Sequence, residues 1–296
     1  MIYLSYLIYH GRKMNYTDDV VTHIKSEGGI EYLRYKCFEK FPNLNVITTL
    51  RHGGYSKGVY NSLNVRTVGN DNIEDVFKNV KKISDTINIK FEDICKASQN
   101  HTDDILVLNE NNKEKYKYEN LNKEYYDAYI TNSKNIASLV TTADCNPIIA
   151  YDPVNNVVCN IHSGWKGTVK KIFLKAVKKM HDEFNSNYED IVVVCGPSIK
   201  KCCFSSEDEE FKKIFLDNFK YNENEYIYYE DDKKRFHIDL EYLIKNDLIN
   251  LGILEENIHF ANVCTMCNHE NFYSYRYATS KKQEDYATFA TIAYLK

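Results

Sequence analysis

Proline and glycine are scarce in this 296-residue chain, with four and eleven residues respectively. Their scarcity excludes collagen-like and flexible low-complexity architectures. No apolar run approaches the roughly 18 residues that a membrane-spanning helix requires. The short apolar start, residues 1–9, lacks a basic segment and a small-residue cleavage site, so we do not interpret it as a signal peptide. The sequence therefore predicts no membrane partner.

The chain also has no excess of basic residues. The 38 Lys and Arg residues face 42 Asp and Glu residues, which gives a formal net charge of −4. Because nucleic-acid-binding proteins usually carry a basic patch, we expect no nucleic acid as partner. The nine cysteines are odd in number, and no export signal accompanies them. Reduced thiols in the cytoplasm are therefore a better interpretation than a disulfide framework.

The overall composition is that of a folded globular protein, with 43% hydrophobic and 27% charged residues. We find no internal repeat and no linker, and predict a single domain over residues 35–296. Residues 1–34 are predicted to form a mobile N-terminal extension, in which Met14 is an alternative to Met1 as the true start. We expect a monomer or a homodimer.

Strand and helix patterns alternate irregularly along the chain. Short β-branched segments bounded by Asn, Asp, Gly or Pro predict strands at 45–50, 105–108, 127–131, 138–142, 147–151, 157–162, 191–195 and 289–295. The three strands between 138 and 162 are close enough in sequence to favour antiparallel neighbours. Apolar stripes predict helices over 73–87, from Val169 to Met180, and from Leu240 to Leu251 between an Asp239 cap and Gly252. This mixed order predicts an α+β fold with mixed sheets.

Three residues at predicted strand ends form a possible metal-binding set. His162 ends an apolar strand before a glycine-containing turn, Cys145 lies between two strands, and His101 follows another. Each alone is explained as readily by a core histidine, a buried thiol or a polar loop residue. Together they match the three protein ligands of a catalytic zinc, which leaves a position open for water. Their wide separation in sequence requires a folded framework to assemble them.

Two arginines are candidates for binding an anion. Arg51 follows a predicted strand and precedes Gly53-Gly54, a position that suits a phosphate or carboxylate ligand. An ordinary hairpin with a surface arginine is about as good an explanation. In residues 271–276, strand alternation would put Ser274 and Arg276 on one polar face, which either meets an anion or is a solvated edge.

The remaining motifs are weak or missing. Cys264-Thr-Met-Cys267 has redox or zinc spacing, and Cys202-Cys203 could complete four thiolates. Because a second CxxC is missing, packed thiols are the favoured interpretation. The chain contains no Walker loop, GxGxxG, GxSxG or HExxH motif.

Taken in order, nine short motifs resemble those of the YfiH-type laccase-domain, or polyphenol-oxidase, family. They are Arg51-His-Gly-Gly-Tyr-Ser, Ser62-Leu-Asn64, Gln99-Asn-His101, Asp127-Ala-Tyr-Ile-Thr, Thr142-Ala-Asp-Cys145, His162-Ser-Gly-Trp-Lys-Gly, Gly196-Pro-Ser-Ile, Cys264-Thr and Phe272-Tyr-Ser-Tyr-Arg276. The resemblance implies one α+β domain of layered sheets flanked by helices. It also implies that His101, Cys145 and His162 are the zinc ligands and catalytic residues.

The same resemblance implies purine nucleoside chemistry. The implied reactions are phosphorolysis of adenosine, inosine and S-methyl-5′-thioadenosine, together with adenosine deamination. Purine nucleosides and phosphate are then the partners, and Arg51, Asn64 and Arg276 are the expected substrate-binding residues. Two positions depart from the family pattern: Thr102 replaces a glycine, and Asp285-Tyr286 stands where a Gly-Arg pair is usual.

Three other functions stay open from the sequence. A copper-dependent polyphenol oxidase is one, since Cu²⁺ outbinds Zn²⁺ at most N/S sites. However, none of the nine histidines is at the H-x-H spacing typical of multicopper centres. A thiol amidase or hydrolase acting on cell-wall precursors would use Cys145 as nucleophile. A zinc-stabilised binding module without turnover is the non-enzymatic alternative.

Overall fold

The computed structural model describes residues 19–296 and the backbone of two short strands before them, Tyr6–Tyr9 and Arg12–Asn15. Part of the predicted N-terminal extension, residues 1–5, 10–11 and 16–18, lies outside the described residues. The described part contains mixed sheets and helices, which confirms the predicted α+β class.

The elements are numbered in chain order. The strands are β1 (Tyr6–Tyr9), β2 (Arg12–Asn15), β3 (Val21–Lys25), β4 (Glu31–Tyr35), β5 (Leu44–Thr49), β6 (Ile94–Cys95), β7 (Ile105–Val107), β8 (Ala128–Thr131), β9 (Ala137–Thr142), β10 (Asn146–Asp152), β11 (Val157–Ser163), β12 (Val192–Cys195), β13 (Ser205–Ser206), β14 (Ile227–Glu230), β15 (Arg235–Ile238), β16 (Ile258–Phe260) and β17 (Phe289–Leu295). The α-helices are α1 (Ile73–Ile87), α2 (Lys113–Tyr116), α3 (Trp165–Val169), α4 (Ile172–Phe184), α5 (Glu209–Asn218), α6 (Leu240–Leu251) and α7 (Tyr275–Ser280). Among residues 19–296, no helix has both the length and the apolar character needed to cross a membrane.

Two six-stranded sheets form the centre of the molecule. One has the order β3-β4-β5-β17-β9-β6 and the other the order β16-β12-β10-β11-β8-β7. Most neighbours are antiparallel, whereas β6–β9, β7–β8 and β12–β16 are parallel, so both sheets are mixed. Residues 21–34, which we assigned to the extension, thus lie in the first sheet beside β5. The domain boundary at residue 35 stays a prediction.

The two sheets pack face to face, and helices cover their outer faces. One hydrophobic cluster joins Val46 and Phe289 of the first sheet to Ile149 and Val194 of the second. Helix α1 packs on the outer face of the first sheet, and α4 and α6 pack on the outer face of the second. Asn160 of β11 donates to carbonyls of β9 and β17 at 3.0–3.1 Å, which satisfies polar groups between the sheets.

Two of the predicted helices are confirmed with their ends. The Asn72 side chain accepts from the amide of Glu74 before α1, and the Asp239 side chain accepts from the amide of Tyr242 before α6. Gly252 ends α6 with a φ of 112°, a left-handed conformation that favours glycine. The helix expected from Val169 is divided into α3 and α4 at Lys171 (φ 58°).

The expectation of three neighbouring antiparallel strands is only partly confirmed. Strands β10 and β11 pair antiparallel, but β9 belongs to the other sheet, where it pairs with β17 and β6. The chain crosses from one sheet to the other between Thr142 and Asn146, where Asp144 has a φ of 88°. It crosses again between β6 and β7, where His101 has a φ of 54°. Short sequence separation did not predict this because a tight turn can also connect two packed sheets.

The strand alternation predicted for residues 271–276, on which both the anion-binding face and the solvated edge strand depended, is wrong. Ser274 instead caps α7, and its side chain accepts a hydrogen bond from the amide of Tyr277. Capping satisfies a helix N–H group that would otherwise be unpaired, and it outweighs the alternating pattern. A third sheet, β13-β15-β14, packs with α5 and α6 beside this helix start.

Candidate active site

The structure brings the three predicted ligands together. One ligand atom from each of His101, Cys145 and His162 lies within 4.8 Å of the others. Cys145 Sγ is 3.6 Å from His101 Nε2, and the two imidazole centroids are 4.9 Å apart. Three residues far apart in sequence thus form one compact set of sulfur and nitrogen donors.

Both sheet crossings contribute to this set. His101 lies on the connection from β6 to β7, and Cys145 ends the connection from β9 to β10. His162 lies near the end of β11, the strand that pairs with β10, with Pro147 opposite it. Two ligands therefore lie where the chain passes between the sheets, and the third lies on the adjoining strand.

A buried carboxylate, Asp127, holds two of the ligands. It accepts a 2.6 Å hydrogen bond from His162 Nδ1, so the other ring nitrogen is left for a ligand. It also accepts from the amides of Asn100, His101 and Thr102 at 2.6–3.2 Å and from the Thr102 hydroxyl at 2.8 Å. Asp127 begins one of the sequence motifs, but the sequence alone does not predict this role. The available signal was a single carboxylate at the start of a strand.

Opposing effects set the protonation states of the pair Cys145 and His162. Burial raises the pKa of Cys145, but the charge of His162 and the hydrogen bond with His101 outweigh it and lower that pKa to about 7. Burial lowers the pKa of His162, but Cys145 and Asp127 outweigh it and raise that pKa to about 10. The pair therefore favours a thiolate beside an imidazolium in the metal-free protein. A metal ion would bind the thiolate and displace the proton from the second ring nitrogen of His162.

Gly164 leaves the space in which the ligand atoms meet. A Cβ at this position would lie 2.6 Å from His101 Cδ2 and 2.8 Å from Cys145 Sγ. Zinc with a Zn–S distance of about 2.3 Å and a Zn–N distance of about 2.0 Å would separate tetrahedral S and N ligands by about 3.5 Å. The observed 3.6 Å between Cys145 Sγ and His101 Nε2 fits that requirement.

The cluster opens into a cavity of about 990 Å³. Its wall includes aromatic side chains, among them those of Tyr275 and Tyr286, and four basic side chains. The basic residues are Arg66, Lys96, Lys166 and Arg276. Volume and lining are typical of a small-molecule site, and the basic side chains suit an anionic group.

The three predicted substrate-binding residues are not all in the cavity wall. Arg276 lines the cavity, and its guanidinium donates to the carbonyls of Cys203 and Ser205. Arg51 and Asn64 are not among the lining residues. Arg51 donates to the carbonyls of Asn61 and His269, and its guanidinium lies over the Tyr273 ring. Binding of substrate by Arg51 or Asn64 stays a prediction that this placement does not favour.

Thr102 and Asp285-Tyr286, the two departures from the family motifs, both make contacts with residues at the site. Thr102 donates twice to Asp127, a contact that glycine could make only through its amide. Asp285 accepts from Arg66 at 2.6 Å, and the Arg66 guanidinium lies 4.1 Å from the centre of the Tyr286 ring. Arg66 is a cavity residue that the sequence reasoning missed, because no glycine or motif marks its position.

Comparison with known proteins identifies the family of this chain. The family model described as multi-copper polyphenol oxidoreductase laccase matches residues 45–295. The chain belongs to this laccase-domain family. A Clostridium acetobutylicum member named purine nucleoside phosphorylase is 35% identical over 209 residues, which are 70% of this chain and 80% of that protein.

Two further members of the laccase-domain family extend the comparison. A protein of an unknown prokaryotic organism, named adenosine deaminase RL5, is 26% identical over 255 residues, or 83% of this chain and 94% of that protein. The crystal structure of the Bacillus licheniformis hypothetical protein YfiH superposes with a TM-score of 0.81 at 25% identity. It covers 90% of this chain and 96% of that one. The layered fold expected from the resemblance is confirmed.

Proposed function

We propose that this laccase-domain protein is a zinc-dependent purine nucleoside phosphorylase with adenosine deaminase activity. Its proposed substrates are adenosine, inosine and S-methyl-5′-thioadenosine. The observation that carries the proposal is the convergence of His101, Cys145 and His162 in the wall of a cavity that also contains basic and aromatic side chains. The names of the relatives support the same reaction class.

His101, Cys145 and His162 would hold the zinc ion. A bound zinc supplies Lewis-acid stabilisation of developing charge and lowers the pKa of a water molecule. Asp127 acts through His162, because its 2.6 Å hydrogen bond fixes which ring nitrogen faces the cavity. Within residues 19–296, the two clusters with metal-ligand geometry contain two imidazoles between them, which supports zinc rather than a multicopper centre.

The basic wall would bind phosphate, and the aromatic wall would bind the purine. In phosphorolysis a phosphate oxygen forms a bond to C1′ while the bond from C1′ to the base nitrogen breaks. The bonding electron pair and a proton then leave with the base. We assign Arg276 to phosphate because carbonyls of Cys203 and Ser205 orient its guanidinium at the cavity wall. Tyr275 and Tyr286 line the same cavity, and we assign their rings to contact with the base.

Asn64 would act by positioning Arg66. Its side-chain oxygen accepts from the amides of Arg66 and Thr288, both of which line the cavity. Arg51 holds the neighbouring loop through the Asn61 carbonyl. We therefore propose that both contribute to substrate binding through the wall rather than by direct contact.

The deciding experiment uses purified zinc-loaded protein with inosine and phosphate. We expect hypoxanthine and ribose 1-phosphate in equal amounts, with no release when phosphate is omitted. Adenosine should give adenine with phosphate, and inosine plus ammonia without it. Failure of zinc-loaded protein to release hypoxanthine in a phosphate-dependent way would overturn the phosphorylase assignment.

A thiol hydrolase is the second candidate, favoured by one observation. Cys145 has a lowered pKa and lies 3.6 Å from His101 Nε2, an arrangement that also suits a nucleophile and its base. Metal quantitation of Cys145→Ser separates the two. Loss of zinc supports a ligand, whereas full zinc content in an inactive protein supports a nucleophile.

A further inference from the structure

Four cysteine thiols meet at the surface, away from the His101–Cys145–His162 set. The Sγ atoms of Cys202, Cys203, Cys264 and Cys267 all lie within 4.8 Å of one another. Cys267 Sγ is 3.7 Å from Cys202 Sγ and 3.4 Å from Cys203 Sγ. Packed thiols are the favoured interpretation from the sequence, yet Cys202 and Cys267 are exposed. Packing in a hydrophobic cluster accounts for Cys264 and Cys203 but not for the two exposed thiols.

We propose that these four thiolates bind a second metal ion, Zn²⁺, in a closed structural site. Tetrahedral zinc with four sulfurs at about 2.3 Å separates neighbouring sulfurs by about 3.8 Å, which is close to the observed distances. Cys264 and Cys267 have the C-x₂-C spacing of such sites. Binding releases the proton of each thiol ligand to solvent and changes no oxidation state.

The backbone already holds the sulfurs in place. The Asn268 amide and side chain both donate to the Cys264 carbonyl, at 3.0 and 2.8 Å. On the other loop, the Cys203 amide donates to the Lys200 carbonyl at 2.8 Å. Less ordering is therefore needed when an ion binds.

The site would fix one wall of the cavity. Thr265, between the two cysteines of the C-x₂-C segment, donates to Asp144 Oδ1 at 2.6 Å, directly before Cys145. The Cys203 carbonyl accepts from the Arg276 guanidinium at 3.3 Å. An ion bound by cysteines of both loops would fix the positions of the loops and so keep both hydrogen bonds in place. Its proposed role is to support the wall, and it takes no part in the chemical step.

The test counts metal, so it does not depend on the proposed reaction. Protein purified under reducing conditions without chelators is measured by native mass spectrometry and elemental analysis. We expect about two zinc ions per chain. The triple variant His101→Ala/Cys145→Ala/His162→Ala should retain about one, and cobalt substituted into it should show the intense sulfur-to-metal charge transfer of four thiolates. Cys202→Ser/Cys267→Ser should lose one zinc, whereas the matched control Cys37→Ser should lose none.

Two results would overturn this second site. One is a single zinc in the unaltered protein that the triple variant loses entirely. The other is a disulfide among the four cysteines in protein purified without reductant, seen after unfolding with a chelator as a mass lower by about two hydrogen atoms and as sulfurs that do not react with an alkylating reagent. The triple variant keeps all four cysteines, so the test stands even if the serine variant does not fold.

Discussion

The two clusters of metal-ligand side chains use similar donors in opposite surroundings. The cluster of His101, Cys145 and His162 lies between the sheets, is held by a buried carboxylate and opens into a large cavity. The four-cysteine cluster lies on two surface loops and offers four sulfurs. Three ligands with an open position suit catalysis, whereas four thiolates close the coordination sphere and suit structural support. The number of ligands and their surroundings together therefore distinguish the two proposed roles.

The largest expected effect comes from filling the space between the cavity ligands. Gly164→Ala would place a methyl group within 2.8 Å of His101 and Cys145, so at least one ligand must move. We expect phosphorolysis to fall more than about a hundredfold, since misplacing catalytic groups by about 1 Å has such an effect. Zinc content should fall by one ion, with the ion at the four cysteines retained. Gly28→Ala, where the nearest atoms are 3.8 Å away, is the control. Full activity in Gly164→Ala would contradict the assigned geometry.

The next effect tests Asp127, the carboxylate that holds His162 in the cavity cluster. Asp127→Asn keeps the shape but removes the negative charge that accepts from His162 Nδ1. We expect zinc affinity at the cavity site to fall about 10- to 100-fold. Competition with a chelator measures it. Equal weakening of both ions would show that the variant acts through general destabilisation instead.

A smaller effect is expected where the two regions meet, at Arg276. Arg276→Gln removes the positive charge while leaving a side chain that can still donate to the Cys203 and Ser205 carbonyls. We expect KM for phosphate to rise about tenfold, or by about 1.4 kcal/mol, with KM for the nucleoside little changed. Steady-state kinetics with each substrate varied in turn provide the measurement. Arg51→Gln is the comparison, and a larger rise there would restore Arg51 as the direct phosphate ligand.

The smallest expected effect is on the free energy of unfolding and comes from the buried charge of Lys96 in the cavity wall. Burial lowers the pKa of Lys96 to about 8, although Asp127 partly opposes the shift. The folded protein therefore binds this proton more weakly than the unfolded chain does. The resulting destabilisation is fully present below pH 8 and is lost as pH rises towards the usual lysine value. Lys96→Met should raise the free energy of unfolding at pH 7 and raise it less at pH 10, where this lysine is already neutral in the folded protein.

Urea unfolding at the two pH values measures this difference. Lys78→Met, on the exposed face of α1, is the matched control and should show little change at either pH. If Lys96→Met stabilised the protein equally at both pH values, gain of apolar packing rather than loss of a buried charge would be the cause.

The convergence of His101, Cys145 and His162 could be predicted from sequence, whereas the carboxylate that supports them could not. His101, Cys145 and His162 share a local pattern, a polar side chain at the end of an apolar strand. Asp127 has its role only because β8 pairs with β11, and such pairing is not encoded in a short window. Similarly, the two glycines beside Arg51 mark that residue in the sequence. The position of Arg66 at the cavity depends on its ion pair with Asp285, which is distant in sequence, so it could not be predicted locally.

The fold shows the same division between local and long-range information. The limits of α1 and α6 follow from caps and apolar stripes, which are local. The change of sheet between β9 and β10 depends on how two layers pack, so neighbouring strands were wrongly expected to pair. The α7 cap at Ser274 shows one polar side chain overriding an alternating pattern.

The two sheet crossings have a thermodynamic consequence. Because His101 and Cys145 lie on the two connections and His162 lies on the second sheet, an ion shared by all three is a non-covalent cross-link between the layers. Separating the layers then requires releasing the ion, so resistance to unfolding grows with the logarithm of free metal concentration. The same ion that equips the cavity for chemistry would keep the sandwich closed.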